Sequence, residues 1–405
     1  MRTISQSPHD PAFVRDPYAF YDRARALGPL VWWDPYAVPV LTTHAGVLAA
    51  LRDRRLGRVP QGGLPPFPAG TAHFARLERL SLLSLEGDTH ARLRGHVLRA
   101  FTGRRVVGLT PDIAALCHGL IDRFPDGAFD LVAAYAEQVP IVVIARLLGV
   151  PEDAGAALRA WSQAMVTMYR PGIGPAEHAA ADGAARDFAG WLDAVMAERQ
   201  ARPGTDLLSA LLAAEDGGTL TRDESLATCV LLLNAGHEAT VHALGNAVVR
   251  LLHTGGAPAH CTETRIAATL EECLRIDPPL HLFTRYALEP VTIAGHALAP
   301  GDEIACLLGA ANRDPAVYDA PDAFRPDRPG PMSASFGAGV HFCLGAQLAR
   351  LEMQVALATL FARCPDLHLT EPPAIAPIYH FHGHARIMAR IKVSARAGSA
   401  APSSP

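Results

Sequence analysis

The segment Ser335-Phe336-Gly337-Ala338-Gly339-Val340-His341-Phe342-Cys343-Leu344-Gly345-Ala346-Gln347-Leu348-Ala349-Arg350 constrains this chain more than any other. It joins a glycine-loosened loop, one cysteine and an amphipathic stretch from Ala346 to about Phe361. Gly337, Gly339 and Gly345 allow backbone angles and close approaches that a Cβ resists, which suits a loop wrapping one sulfur against a large flat ligand. Cys343 falls at the start of the following helix, where partial positive charge favours a thiolate. A thiolate held in this way is a soft metal ligand. A lone cysteine in a glycine-rich turn is ordinarily just buried, so the pattern around it has to carry the argument.

That pattern is Phe-x-x-Gly-x-His-x-Cys-x-Gly, ungapped from Phe336 to Gly345. It resembles the haem-ligand loop of the cytochrome P450 superfamily, the haem-thiolate monooxygenases. A zinc site is a poor rival, because His341-x-Cys343 has no second Cys-x-x-Cys pair to complete a tetrahedron. The seven cysteines (117, 229, 261, 273, 306, 343 and 364) are odd in number and follow no paired rhythm. No disulfide framework is expected, and a reducing cytosol is the natural compartment. The first residues, Met1 to Pro8, lack the apolar core of a signal peptide. The apolar run from Leu226 to Ala235 falls short of the roughly 20 residues that span a bilayer. A soluble, cytoplasmic, monomeric protein is therefore expected, without the N-terminal anchor of membrane-bound relatives. Net charge of −4 offers no argument for nucleic acid.

Four further segments, in order, match the same resemblance. Gly87 to Thr102 reads as a helix on which His90 and Arg94, four apart, share a face. Alone they would be a solvated basic face; the resemblance implies that they hold haem propionates. Thr221-Arg222-Asp223-Glu224 is a capping box opening a long helix to about Leu252. Inside it, Ala235-Gly236-His237-Glu238-Ala239-Thr240 resembles the family's oxygen-binding groove. Its small residues suggest that something lies close to the backbone, because glycine costs a helix interior roughly 1 kcal/mol relative to alanine. The resemblance implies that Ala235 and Gly236 border the cofactor and that Glu238 relays protons. The alcohol that usually follows the acid is replaced by Ala239. Thr240 lies about 100° further round and cannot substitute directly. Glu272 and Arg275, at i,i+3, resemble the family's Glu-x-x-Arg pair, with Arg328 of Phe324-Arg325-Pro326-Asp327-Arg328 completing a structural cluster. Leu282 to Ala287 alternates like a strand; the resemblance implies a propionate contact from Arg285, as it does from His341. Phe283 and Leu282 are candidates for the cavity wall.

Elsewhere, Leu30-Val31-Trp32-Trp33 and Val38-Pro39-Val40-Leu41 read as a hairpin turning at Asp34-Pro35. A helix is expected from about His44 to Arg52, and a long functional loop from Gly57 to Gly70. Thr110-Pro111 starts a helical, alanine-rich region to about Arg199, punctuated at Pro140, Pro151 and Pro171-Gly172. Trp161, Met165, Met168 and Tyr169 are core residues or part of a substrate lid. Ile378 to Gly383 is an aromatic, histidine-rich turn that would dip into the cavity.

The expected fold is mainly α with a minor β region, the triangular haem-thiolate fold, in a single domain over 1–393. Residues 394–405, rich in Ala, Ser and Pro, are expected to be a disordered tail. By resemblance the cofactor is haem b with Cys343 as axial thiolate, held by His90, Arg94, Arg285 and His341. No Rossmann fingerprint or cysteine cluster is present, so electrons must arrive from outside the chain; the resemblance implies a separate ferredoxin and its reductase. The implied reaction inserts one atom of O₂ into a small hydrophobic substrate, as in the tailoring hydroxylation or epoxidation of a polyketide or terpenoid. Ala239 keeps atypical haem-thiolate chemistry open: peroxide use, oxidative coupling or dehydration. A haem-binding domain without catalysis is the alternative of a different class.

Overall fold

Local signals set most element boundaries. Thr221 caps the N-terminus of a helix running Arg222–Thr254, with its side chain accepting from the Glu224 N–H and Glu224 reaching back to the Thr221 N–H. Thr43 caps His44–Arg52 in the same manner, accepting from Gly46 N at 3.3 Å. Helices also form at Gly87–Ala100, Thr110–Ile121, Pro175–Ala201, Ile266–Ile276 and Ala346–Arg363. The computed structural model describes residues 1–101, 103–170 and 172–391. The expected tail, 394–405, lies outside the described residues, as does Pro171 of the expected break. Pro140 does not end a helix; it lies in the first turn of Gln138–Leu148, where its missing N–H costs least.

The hairpin Leu30–Trp33 with Val38–Leu41 is antiparallel, linked by a 3₁₀ turn at Asp34–Tyr36, with Ala37 left-handed at φ 50°. It forms part of a six-stranded sheet in the order Arg2–Ile4, Leu30–Trp33, Val38–Leu41, Glu303–Leu307, Leu282–Ala287, Leu56–Gly57. The outer strands Arg2–Ile4 and Leu56–Gly57 are too short and too polar in context to read from sequence. The fold is mainly helical with a minor β region, as expected. Among the described residues no helix is long and apolar enough to cross a membrane.

The largest apolar cluster joins the helices and includes Val97, Ile144, Phe188, Leu244 and Leu357. A separate aromatic cluster of Phe13, Phe20, Trp33 and Tyr379 packs beneath the sheet. Leu282, a candidate for the cavity wall, belongs to this second core and is 5% exposed. Tyr379 likewise turns away from any cavity, its hydroxyl 2.8 Å from that of Tyr21.

One buried cluster fixes the approach to the cysteine loop. Glu272 accepts from Arg275 Nε at 2.7 Å, Arg275 Nη2 at 2.8 Å, Arg325 N at 2.8 Å and Arg328 Nε at 3.4 Å. Arg275 also donates to the carbonyls of Asn312, Pro321 and Ala323. Asn312 then holds Ala334 N and Ser335 Oγ, at the head of the loop. Both carboxylate oxygens of Glu272 and all three nitrogens of the Arg275 guanidinium are engaged, which is the condition under which a buried ion pair is tolerated.

Candidate active site

Cys343 leaves the loop just before the Ala346–Arg363 helix; its N–H donates to Phe336 O at 2.9 Å. The glycines of the loop serve protein neighbours. A Cβ on Gly339 (φ +73°) would lie 2.2 Å from Leu51 O, and one on Gly337 (φ +69°) 3.3 Å from the Phe283 ring. Neither a positive φ nor a close neighbour requires glycine at 345. Phe283 therefore braces the loop. The six other cysteines are buried, whereas the Cys343 side chain is accessible.

Burial by the surrounding protein nevertheless pushes the Cys343 thiol up, more than the Gly345 and Ala346 N–H groups and the Arg94 and Arg350 charges pull it down. An accessible atom that is also poorly solvated describes a concave wall. The N–H groups at the helix start favour the thiolate, as expected, but burial outweighs them; a bound metal would complete the deprotonation, since a coordinating thiol is deprotonated outright. Arg94 Nη2 donates to Phe342 O at 2.7 Å, tying the Gly87–Ala100 helix to the cysteine loop. Arg350 is held by Glu271 at 2.5 Å and lies 4.3 Å over the Phe336 ring.

Around this wall the expected cationic side chains converge. His90 and His341 rings lie 4.4 Å apart, and His341 Nε2 is 3.0 Å from both Glu86 oxygens. Burial, with His341 and Arg94 nearby, lowers His90 to about 4, so it is a neutral donor at pH 7. Arg285 is 2% exposed, and its Nη1 donates to Thr284 O at 2.8 Å. Among the described residues no carboxylate lies within ion-pair distance of it. Burial, and then Arg58, push it down to about 10. A buried guanidinium without an anion is costly, so this position calls for one from outside the chain. Sequence reasoning missed Arg58 and Glu86. Arg58 Nε donates to Leu83 O at 2.9 Å and its N–H to Glu86. The signal was present: Arg58 lies in the loop expected to be functional, and Glu86 immediately precedes the His90 helix.

On the central helix, Ala235 is exposed although it sits mid-helix, whereas Gly236 faces another helix. A Cβ on Gly236 would meet Ile144 Cγ1 at 3.1 Å, so the bare backbone there also serves helix packing. Glu238 is half-buried. Burial raises its carboxyl, but His242, His237 and Arg170 outweigh this and hold it below the usual range. Thr240 is buried and interacts with Glu352 on the cysteine helix. It is therefore turned away from the Ala239 position, as expected. Burial pushes Glu352 up to about 8, so this carboxyl, unlike Glu238, is protonated at pH 7; no sequence signal marked it. At the lid, Met165 is buried with Sδ 3.7 Å from Asn234 Nδ2, and Trp161 stacks on Phe188. Tyr169 is 43% exposed and donates to Glu78 at 2.8 Å.

The residues present thus fit one large anionic metal cofactor: an accessible thiol, an anion-seeking buried arginine, and imidazole donors beside it.

Comparison with known proteins points the same way. The family model described as Cytochrome P450 matches residues 266–385. Cytochrome P450 monooxygenase PikC of Streptomyces venezuelae is 35% identical over 379 residues, covering 89% of this chain and 87% of that protein. Vitamin D(3) 25-hydroxylase of Pseudonocardia autotrophica is 36% identical over 383 residues, covering 91% and 92%. Among solved structures, P450BioI in complex with hexadec-9Z-enoic acid ligated acyl carrier protein is similar at TM-score 0.88 and 30% identity, covering 94% of this chain and 100% of that one. Epothilone B-bound cytochrome P450epoK is similar at TM-score 0.88 and 28% identity, covering 96% and 100%.

Proposed function

The chain belongs to the cytochrome P450 family of monooxygenases, and from that membership we propose that it hydroxylates or epoxidises an already oxygenated polyketide or terpenoid intermediate, with electrons from a ferredoxin. The observation that carries the cofactor assignment is an accessible Cys343 together with an Arg285 that is buried with no anionic partner among the described residues. Haem b supplies O₂ activation and oxygen transfer when bound, the thiolate's electron density favouring O–O cleavage.

The chain's own residues do the rest. Cys343 would hold the haem iron, and Arg94, Arg285, His90 and His341 would hold its propionates, with Arg58 as a further donor. Glu238, ionised at rest, takes up a proton and passes it on at the cavity edge. Ala239 has no hydroxyl to pass that proton on, and Thr240 is engaged by Glu352. A general acid acts within hydrogen-bond reach or through a single water. The gap is then filled by a hydroxyl of the substrate or by a water it holds, which is the reason to favour an oxygenated substrate.

The test is the purified protein. Haem b should be present and the reduced CO adduct should absorb at the thiolate-typical position. Cys343→Ala should abolish that band; an unchanged spectrum in the variant would refute the assignment. A Soret-shift screen across oxygenated and deoxygenated polyketides and terpenoids then tests the substrate class.

A further inference from the structure

Glu238, His242, Asn246 and Arg250 recur at four-residue spacing along the central helix, a polar stripe on one face of an otherwise apolar element. The stripe begins at the proposed proton donor. His242 Nε2 lies 3.6 Å from Glu238 Oε1, and His237 Nδ1 lies 3.8 Å from Glu238 Oε2. It ends near the surface, where Arg250 Nη2 meets Asp277 at 2.7 Å and is 30% exposed. Asn246 joins the stripe to the turn before residue 384, donating to His382 O at 3.0 Å.

That turn is Phe381-His382-Gly383-His384, the histidine-rich segment that the catalytic reading leaves unused. It lies directly on His242. A Cβ on Gly383 would stand 2.3 Å from His242 Nδ1 and 2.7 Å from His242 Cβ, so only a glycine lets the helix imidazole lie on the turn's backbone. His242 is 8% exposed and His382 6%, whereas His384 is partly exposed. His242 Nδ1, His382 Nδ1, His384 Nδ1 and His281 Nε2 are all buried without a protein partner. Several orphaned imidazole nitrogens in one layer are the usual setting for ordered water, which bridges buried polar atoms that the chain leaves unpaired. His384 interacts electrostatically with both His382 and His242. Among the described residues no three His, Cys, Asp or Glu side chains converge on a metal position.

We propose that His384 and His242, with intervening water, form a proton path from solvent to Glu238 between the central helix and the 381–384 turn. The inference rests on the haem-thiolate reading of the site. His384 takes a proton from bulk water and passes it inward. His242 accepts it at Nδ1 while releasing its Nε2 proton to Glu238 Oε1, so the imidazole charge is unchanged and one proton has moved inward. Glu238 then carries that proton to the cavity where Ala239 offers none. The groups facing His242 are Glu238 and His237 on its own helix, His382 and His384 on the turn, and Asp277 beyond them. Because burial and His382 hold His384 at about 4, it transmits protons at neutral pH without resting as a cation. This chemistry asks for a relay partner that can be both donor and acceptor, which neutral imidazole provides.

The experiment uses ferric and reduced holoenzyme of the wild type, His242→Asn, His242→Gly, His384→Leu and Glu238→Gln. One readout is spectroscopic: the Glu238 carboxyl band in redox-difference infrared spectra, assigned by its loss in Glu238→Gln. His242→Asn should raise the protonation midpoint of that band, since His242 lowers it in the wild type. The other is ferredoxin-driven O₂ consumption in H₂O and D₂O by holoenzyme saturated with an oxygenated compound that shifts its Soret band in the screen above. Both His242→Asn and His384→Leu should slow it roughly tenfold or more and enlarge the solvent isotope effect, within the range of general acid–base contributions. His242→Gly should be slowed at least as much as His242→Asn. Wild-type rates and isotope effects in both His242→Asn and His384→Leu would overturn the path. A thiolate-type CO band in every variant keeps failure of the path separate from failure of the haem assignment.

Discussion

Replacing Glu272 by glutamine removes one charge from the cluster below the cysteine loop and almost nothing of its shape. The carboxylate is 4% exposed and serves Arg275, Arg328 and the Arg325 N–H. Breaking a buried pair by neutralising one partner costs about 3–5 kcal/mol, because the other charge is left uncompensated. Glutamine keeps one acceptor oxygen, so the low end applies. With an unfolding entropy of about 2.1 cal/mol/K per residue, a chain of this length has roughly 0.8 kcal/mol/K, and about 3 kcal/mol lowers Tm by about 4 °C. The control is the adjacent Glu271, whose pair with Arg350 is 21% and 31% exposed. Glu271→Gln should cost under about 1 kcal/mol, near 1 °C. Scanning calorimetry of the two holoenzyme variants decides the matter. Equal shifts, or a Glu272→Gln shift below that of Glu271→Gln, would show that burial does not set the value of this cluster.

Three further outcomes are expected. Arg285→Ala should speed haem loss to apomyoglobin severalfold while leaving the thiolate-type CO band in the haem that remains; unchanged retention would remove Arg285 from the propionate set. Glu352→Gln should stabilise the protein increasingly as pH rises from about 5 to 8, by up to a few kcal/mol, and flatten above that. The sign follows because Glu352 is raised from 4.5 to about 8 in the fold, so its stabilising protonated form is lost as pH climbs through that value, and glutamine has no proton to lose. Urea midpoints measured across that range check it; parallel wild-type and variant curves would contradict it. Ala239→Thr should improve the coupling of NADH use to product for a deoxy substrate analogue and change little for the hydroxylated substrate, and equal coupling for both compounds in the wild type would rule out assistance by the substrate.

The sequence alone determined what depends on neighbours within a turn or two. The Thr221–Glu224 capping box, the His44–Arg52 helix, the Leu30–Leu41 hairpin and the spaced pattern around Cys343 are local, and each appears where the residues require it. The roles of side chains that meet across the fold were decided only by tertiary packing. His341 meets Glu86, 255 positions away in the chain, and Thr240 is taken out of play by Glu352 on another helix. Gly236 packs against Ile144, and Leu282 faces the second core rather than the cavity. Whether Cys343 rests as thiol or thiolate turns on how much protein surrounds it, against which the helix start is the smaller effect. Desolvation and long-range contact depend on the whole arrangement of the chain, and no window of sequence contains them.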